Sequence, residues 1–217
     1  MTRVRLACWF LLVGAVAAAN YAAYGSSSGD AGDEIYRWSS FADGVVFYGL
    51  ILGLTLVIAI DRWSLLALRP VASVWAAARI AAVAIVAVLV WESIVTVLPI
   101  EDPGKEQGLT PSHWEPAHAG AFAANVVLFV VLAPFVEELL FRGVGQSLLT
   151  QTFGATPAIV GIGLMFGAWH GLLVALLVLI PFGWALALIR ARTGSVVPGM
   201  IVHALFNAFA IATTLLS

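Results

Sequence analysis

The stretch from residue 117 to residue 142, AHAGAFAANVVLFVVLAPFVEELLFR, joins a long apolar run to three charged side chains. The run is long enough to cross the hydrocarbon core of a bilayer, which takes roughly 20 apolar residues. Lipid offers no hydrogen-bonding partners, so a crossing segment has to pair its own backbone groups, as a helix does. The stretch therefore predicts a membrane helix that leads directly into Glu137, Glu138 and Arg142.

The composition of the whole chain agrees with this prediction. Of the 217 residues, 62% are apolar and 10% are charged, whereas an ordinary soluble domain is about 45–50% apolar and about 25% charged. A water-soluble fold of this size cannot bury so much apolar surface. The net charge of -2, without a basic stripe, is not typical of a nucleic-acid-binding protein. The single cysteine, Cys8, cannot form an intrachain disulfide.

Six other segments are apolar enough to cross a bilayer, so we predict an all-α polytopic bundle of about seven helices. Only Gly171 separates the fifth segment from the sixth, so these two segments can be counted as one membrane span or as two. Internal repeats and long linkers are absent, and we expect one membrane domain over residues 1–217. The seven segments lie near Leu6–Tyr24, Phe41–Ile60, Val74–Leu98, Ala117–Val136, Pro157–His170, Leu172–Ile189 and Val196–Leu216.

The charges of the connecting segments predict a cytoplasmic N-terminus. With that orientation, Arg37 and Lys105 are the basic residues assigned to outer loops, and the other eight of the ten lie inside. Basic residues are retained on the cytoplasmic side of membrane proteins. The first segment also fits a cleaved signal peptide; we favour a retained helix, because cleavage would leave the second span to set the orientation alone. The acidic residues assigned to the outer loops are Asp30, Asp33, Glu34, Glu101, Asp102, Glu106 and Glu115.

Ionised side chains are expensive at membrane depth, at about 2.5–3.5 kcal/mol each on insertion scales. Glu138 and Arg142 are four residues apart, so they share a helix face and predict an ion pair. Glu137 is rotated by about 100° from Glu138 and has no partner on its own helix. A carboxylate of this kind in a partly dry site can take a proton from water near neutral pH. The alternative is that the three residues only hold helices together.

Two further pairs of side chains strengthen the catalytic interpretation. Phe166 and His170 lie one turn apart, as do His203 and Asn207, so each pair points in one direction. A lone histidine in a membrane helix more often hydrogen-bonds a neighbouring helix. Two histidines, one asparagine and two glutamates on three helices supply a base, a second proton-handling group and donors for an oxyanion. The set predicts water-mediated acyl hydrolysis. Glu92, in the third segment, is assigned no role.

These residues resemble the three signature motifs of the CAAX protease and bacteriocin-processing family, whose best-known members are CAAX prenyl endopeptidases of the Ras-converting type. The sequence EELLFRG at residues 137–143 is especially similar to the usual first motif of the family. The resemblance covers roughly residues 117–216, the expected protease core of the chain. The motifs are Glu137-Glu138-x-x-x-Arg142, Phe166-x-x-x-His170 and His203-x-x-x-Asn207.

The resemblance implies an intramembrane glutamate endopeptidase that needs no cofactor and no metal. Glu137 and His170 would activate the attacking water, and two residues of the last segment would form the oxyanion hole. The expected setting is the lipid bilayer of a bacterial plasma membrane, with a membrane-associated protein or peptide as substrate. Nothing in the chain selects a prenylated substrate. The implied catalytic residues are Glu137, His170, His203 and Asn207, and the implied supporting residues are Glu138, Arg142 and Phe166.

The predicted segment boundaries conflict with this site in one respect. The predicted boundaries place Glu137 near the cytoplasmic surface of the membrane. They place His170 at the outer end of a segment that rises by about 20 Å, so the two side chains would lie at different depths. Either the fourth helix continues beyond Val136, or the fifth begins below the surface. We favour the first explanation, because the apolar residues within 139–149 can prolong the fourth span.

Three other functions are compatible with the same residues. Glu137, Glu138, His170 and His203 could bind catalytic zinc, which takes three protein ligands and a water, although the chain lacks a His-Glu-x-x-His helix. A non-catalytic membrane scaffold or bacteriocin-immunity-type protein would use the polar set for helix packing or partner capture. A proton-coupled transporter is the weakest alternative, since the chain has no repeated halves.

Overall fold

Seven helices form from the apolar segments in the computed structural model of the chain, which describes residues 2–26, 34–95, 97–99 and 114–216. Over these ranges there is no strand, and short 3-10 turns occupy Glu34–Tyr36 and Trp63–Leu66. The predicted all-α bundle is confirmed. The helices are α1 (Thr2–Ser26), α2 (Trp38–Ala59), α3 (Val74–Val95), α4 (Pro116–Phe153), α5 (Ala155–Trp169), α6 (Leu176–Thr193) and α7 (Val197–Leu216).

Five of these helices, α1 to α4 and α6, are long and apolar enough to cross a membrane. Helix α5 and the Val197–Thr213 part of α7 are shorter apolar helices. Large apolar side chains cover the outside of the bundle, as on α2, where Val46 is 72% exposed, and on α3, where Val83 is 71% exposed. An apolar outer surface of this extent suits contact with lipid chains.

Helix α4 continues beyond the two glutamates. The segment boundary at Val136 is wrong, and the favoured explanation, a fourth helix prolonged through residues 139–149, is confirmed, because the helix continues to Phe153 and spans 38 residues. Two π-helical segments, Leu128–Leu132 and Leu139–Gly145, lie on either side of the two glutamates. Such segments occur frequently at functional sites. The continuation places Glu137 in the interior of a helix, which removes the conflict in depth with His170.

The connection between α5 and α6 is longer than a single glycine. Helix α6 begins at Leu176, so the predicted start of the sixth segment at Leu172 is wrong. Gly171 turns the chain with a φ of 69°, and a Cβ at this position would lie 2.6 Å from the backbone of Asn20. Asn20 in turn donates a hydrogen bond from its side-chain amide to the Trp169 carbonyl oxygen at 2.6 Å. The end of α5 is thereby held against α1.

Helix α1 is packed into the core beside the site helix. Trp9 is fully buried, and its indole Nε1 donates a hydrogen bond to the Leu140 carbonyl oxygen at 2.9 Å. Its ring meets Phe141 edge to face, with 6.1 Å between the centroids. The core then continues through Phe141 and Phe166 to Phe182, where α4, α5 and α6 meet.

The residues that predict orientation are only partly described. Glu34 and Glu115 are within the described ranges. The predicted orientation, with a cytoplasmic N-terminus, stays a prediction. Asp30, Asp33, Glu101, Asp102, Lys105 and Glu106 lie outside the described residues.

Candidate functional site

The predicted ion pair on α4 is formed and completely buried. Arg142 Nη1 donates to Glu138 Oε1 at 2.9 Å, and both side chains are 0% exposed. Arg142 Nη2 donates to the Gly183 carbonyl oxygen at 3.1 Å, and the guanidinium carbon lies 4.2 Å from the centre of the Phe166 ring. A buried charge is tolerated only when it is paired and hydrogen-bonded in this way. Because Phe166 belongs to α5 and Gly183 to α6, the pair joins three helices.

The carboxylate of Glu138 also positions α7. His203 Nδ1 lies 3.2 Å from Glu138 Oε1, and since an ionised carboxylate can only accept, this nitrogen carries the hydrogen. The imidazole ring stands edge-on to Phe182, with 5.3 Å between centroids. Gly199, one turn before His203, allows the approach, because a Cβ there would lie 2.8 Å from Glu138 Oε2. His203 therefore turns its other nitrogen, Nε2, toward Glu137.

His170 is held in the corresponding orientation at the end of α5. Its Nδ1 donates to the Phe166 carbonyl oxygen at 2.8 Å, because a carbonyl oxygen offers no hydrogen in return. Nε2 is then the free nitrogen, and it lies 3.9 Å from Glu137 Oε2. The His170 side chain is 24% exposed, whereas those of Glu137 and His203 are 4% exposed, so His170 is the more open side of the cluster.

Glu137 faces both histidines with one oxygen and a tyrosine with the other. Its Oε2 lies 3.9 Å from His170 Nε2 and 3.9 Å from His203 Nε2. Its Oε1 accepts a hydrogen bond from the Tyr48 hydroxyl at 2.9 Å. Oε2 is buried and has no hydrogen-bond partner among the protein groups described. A buried acceptor that no protein group satisfies normally meets water or a ligand.

Tyr48 belongs to the site although no sequence motif contains it. It lies on α2, within a run of apolar residues, and it precedes Glu137, the first motif residue, by 89 positions in the chain. The available signal was the phenol itself, since a buried tyrosine hydroxyl needs a hydrogen-bond partner. Nothing local indicated that the partner would be Glu137.

Asn207 completes the hydrogen bonding of an irregular part of α4. Its side-chain amide donates to the Phe129 carbonyl oxygen at 2.9 Å. In this π-helical segment the backbone N–H of Ala133 bonds five residues back, to the Leu128 carbonyl. The next residue, Pro134, has no N–H that could bond Phe129 in the same register. Asn207 thus supplies the donor that the proline removes, and its amide group carries a second hydrogen.

A cavity of about 240 Å³ contains this cluster. All four predicted catalytic residues line it, together with Tyr48 and Phe166, and the other walls are apolar. The cavity lies where α2, α4, α5, α6 and α7 meet. Its apolar lining residues are Phe129, Ala133, Phe166, Leu172, Leu179, Phe182, Phe206 and Ala210.

Glu137 Oε2 has both histidine Nε2 atoms near it in the cavity. Glu137 Oε2 is too far from each imidazole for a direct hydrogen bond, at 3.9 Å. Polar atoms at such separations are commonly bridged by water. A water molecule between Glu137 Oε2 and either Nε2 atom would touch a carboxylate base and an imidazole nitrogen. This arrangement can support proton transfer to and from water.

The four side chains that could have bound zinc, Glu137, Glu138, His170 and His203, are not arranged around one point. Glu138 Oε1 is engaged by Arg142 and by His203 Nδ1, so it lies on the far side of that imidazole from Glu137. Across residues 2–26, 34–95, 97–99 and 114–216, no group of three or more His, Cys, Asp or Glu side chains is arranged to hold a metal ion. The described residues bring one carboxylate, that of Glu137, and two imidazoles to the cavity.

The fold and the cluster together define an integral membrane protein with a buried glutamate–histidine site between its helices. Residues 119–209 match the family model described as type II CAAX prenyl endopeptidase, Rce1-like. The family recognised from the three motifs is therefore confirmed, and this part of the chain is an Rce1-like domain. No curated protein and no solved structure matches the chain.

Proposed function

We propose that the chain is an intramembrane endopeptidase that hydrolyses a peptide bond of a membrane-associated protein or peptide. The observation that carries the proposal is that Glu137 Oε2 lies 3.9 Å from the Nε2 atoms of both His170 and His203, and that these three residues line one cavity. The Rce1-like domain supports a protease of the CAAX type. The reaction uses no metal ion.

Glu137 acts as the general base in this proposal. Its Oε2 takes a proton from a water molecule while the water oxygen attacks the peptide carbonyl carbon, and the proton later passes to the departing amine. His170 orients the water, because its Nδ1 is committed to the Phe166 carbonyl and its Nε2 accepts. Tyr48 donates to Oε1 and so leaves Oε2 as the oxygen that faces the water. Tyr48 is a positioning residue.

His203 and Asn207 supply the donors for the oxyanion. When His203 is protonated on both nitrogens, Nδ1 stays bonded to Glu138 and Nε2–H points into the cavity. A carboxylate behind an imidazole orients the ring and stabilises its charged form. Asn207 contributes the amide hydrogen that is not used by Phe129. Hydrogen-bond donors fixed in advance stabilise the charge that develops on the carbonyl oxygen.

The remaining parts of the proposal concern the setting. Residues 1–217 form one membrane unit in the plasma membrane of a bacterium, with the N-terminus in the cytoplasm, and residues 117–216 carry the protease core. The apolar cavity walls suit an aliphatic peptide segment, and a prenylated Cys-a-a-X tail and an unprenylated membrane peptide are both candidate substrates. The scaffold or immunity-type alternative is less favoured, because helix packing alone does not require Glu137 and two imidazoles to line the same cavity with their Oε2 and Nε2 atoms 3.9 Å apart.

Peptide hydrolysis in lipid vesicles tests the proposal. Purified wild type would be compared with Glu137→Gln by mass spectrometry on prenylated and unprenylated membrane peptides, with and without a chelator. The matched control is Glu115→Gln, which changes a partly exposed carboxylate that pairs with His118 and lies outside the cavity. We expect cleavage by wild type and the control that survives chelation and is lost in Glu137→Gln.

Each of the other outcomes would contradict part of the proposed function. Cleavage that persists in Glu137→Gln would refute the assignment of the base. Loss of cleavage with the chelator, restored by added zinc, would support the metal-dependent alternative. If neither peptide class is cleaved by folded wild type, the scaffold or immunity-type function takes precedence.

A further inference from the structure

One end of the bundle is rich in arginine and poor in carboxylates. Arg62 Nη1 donates to Thr2 Oγ1 at 3.1 Å, which brings the start of α1 to the α2–α3 connection. Arg69 Nε donates to the Gly194 carbonyl oxygen at 2.5 Å, which brings the end of α6 to the same connection. Asp61 is the carboxylate at this end among the described residues. The arginines gathered here are Arg3, Arg5, Arg62, Arg69, Arg79, Arg190 and Arg192.

Two of these arginines, Arg79 and Arg192, line the mouth of one apolar groove of about 570 Å³ on the outside of the bundle. Helix α3 forms one wall with residues such as Val83 and Ala87, and α6 forms the other with residues such as Trp184. The Trp184 indole is fixed in this wall, because its Nε1 donates to the Val160 carbonyl oxygen at 3.1 Å. The groove is therefore apolar along its length and cationic at one end.

Among the described residues, the two guanidinium groups have no anionic partner. Over the described part of the chain, neither Arg79 nor Arg192 forms an ion pair or a side-chain hydrogen bond, and both are exposed. Arg142 differs, because its charge is neutralised internally by Glu138. Two exposed cations that flank an apolar channel at the membrane surface match a ligand with an anionic head and an apolar tail.

The length of the groove matches one leaflet of a bilayer. From Arg79 to Val88, helix α3 rises about 14 Å, which is about half of a hydrocarbon core of roughly 30 Å. Helix α6 runs in the opposite direction, so that Arg192 lies at the mouth and Pro181 lies at the deep end. Both walls thus lead from the membrane surface to about its midplane.

We propose that this groove binds one anionic phospholipid from the leaflet on the arginine-rich side. The lipid phosphate lies between Arg79 and Arg192, and one acyl chain lies along α3 and α6. Basic clusters beside membrane helices attract anionic headgroups, and planar guanidinium groups are well suited to phosphate. This site is separate from the cavity that contains Glu137, so the inference does not depend on the proposed protease activity.

Native mass spectrometry of the full chain in detergent tests the site, with equimolar phosphatidylglycerol and phosphatidylcholine of identical acyl chains. Wild type is expected to retain one phosphatidylglycerol molecule in preference to phosphatidylcholine. The variant Arg79→Gln/Arg192→Gln is expected to weaken this retention by roughly 25-fold, since each arginine contributes about a factor of five. The charge-matched control Arg3→Gln/Arg62→Gln removes two arginines of the same end that do not line the groove.

A second variant tests the acyl-chain half of the site. Ala87→Phe fills the groove without changing the charge, and it is expected to reduce phosphatidylglycerol retention as well. Arg79→Lys/Arg192→Lys is expected to keep most of the preference, which checks that the glutamine variant fails through lost charge and not through misfolding. All variants are first compared with wild type for their unfolding midpoint in phosphatidylcholine.

Three results would overturn the site. An equal loss in the Arg3→Gln/Arg62→Gln control would mean that the overall charge of this end attracts the lipid. Full retention by Ala87→Phe would mean that no acyl chain occupies the groove. Displacement of the lipid by inorganic phosphate at millimolar concentration would mean that the arginines bind phosphate without the lipid tail.

Discussion

Replacing Glu138 by glutamine is expected to destabilise the fold, whereas the same change at the adjacent Glu137 is not. The two carboxylates are both buried, but their surroundings differ. Glu138 compensates the charge of Arg142 at 2.9 Å and accepts a hydrogen bond from His203 Nδ1 at 3.2 Å. Glu137 accepts one hydrogen bond from Tyr48 and has no hydrogen-bond partner for its Oε2 among the described protein groups.

The size of the effect follows from the buried cation. Removing one partner of a fully buried ion pair costs about 3–5 kcal/mol, because an uncompensated charge is left behind. Glutamine can still accept from Arg142 through its amide oxygen, so we expect a loss near the lower value. In a protein of this size, about 3 kcal/mol corresponds to a fall of roughly 6–12 °C in the unfolding midpoint. Glu137→Gln removes a buried charge that has no cation of its own, so stability should be kept or raised.

Thermal unfolding followed by circular dichroism, in one detergent and at one pH, would measure both variants. The double variant Glu138→Gln/Arg142→Met is expected to recover part of the loss, because it removes the buried cation together with its partner. Equal midpoints for Glu138→Gln and Glu137→Gln would refute the division of roles between the two carboxylates. A double variant less stable than the sum of its single changes would refute the explanation by an unpaired charge.

Three further predictions concern other contacts of the site helix. Tyr48→Phe should lower kcat for peptide cleavage by roughly ten-fold or more while KM changes little, since one hydrogen bond to a charged group is lost; an unchanged kcat would remove the positioning role. Gly199→Ala should lower stability by about 1–3 kcal/mol through overpacking against a carboxylate, whereas Gly53→Ala, with open space around it, should not. Trp9→Phe should lower the free energy of unfolding by about 1–3 kcal/mol, because a buried carbonyl loses its hydrogen-bond donor. The retention of α1 is checked by the intact mass of the purified protein, and a mass that lacks residues 1–24 would contradict it.

Much of the architecture could be predicted from local patterns. The number of helices follows from apolar runs, because the length of each run is a property of consecutive residues. The ion pair of Glu138 with Arg142 follows from helical spacing in the same way. The end of α4 could not be predicted so well. Its glutamates and arginine lower the hydropathy after Val136, but the helix continues because these side chains are buried among other helices and not in lipid.

The sequence by itself determined which side chains share a helix face, and the three motifs are faces of this kind. Only the tertiary structure decided which faces meet. Tyr48 reaches Glu137, and Asn207 reaches the Phe129 carbonyl, through the relative depth and rotation of α2, α4 and α7. Neighbours within a helix follow from 3.6 residues per turn, whereas neighbours on different helices depend on how all the side chains between the helices pack together. No single segment of the sequence contains that information.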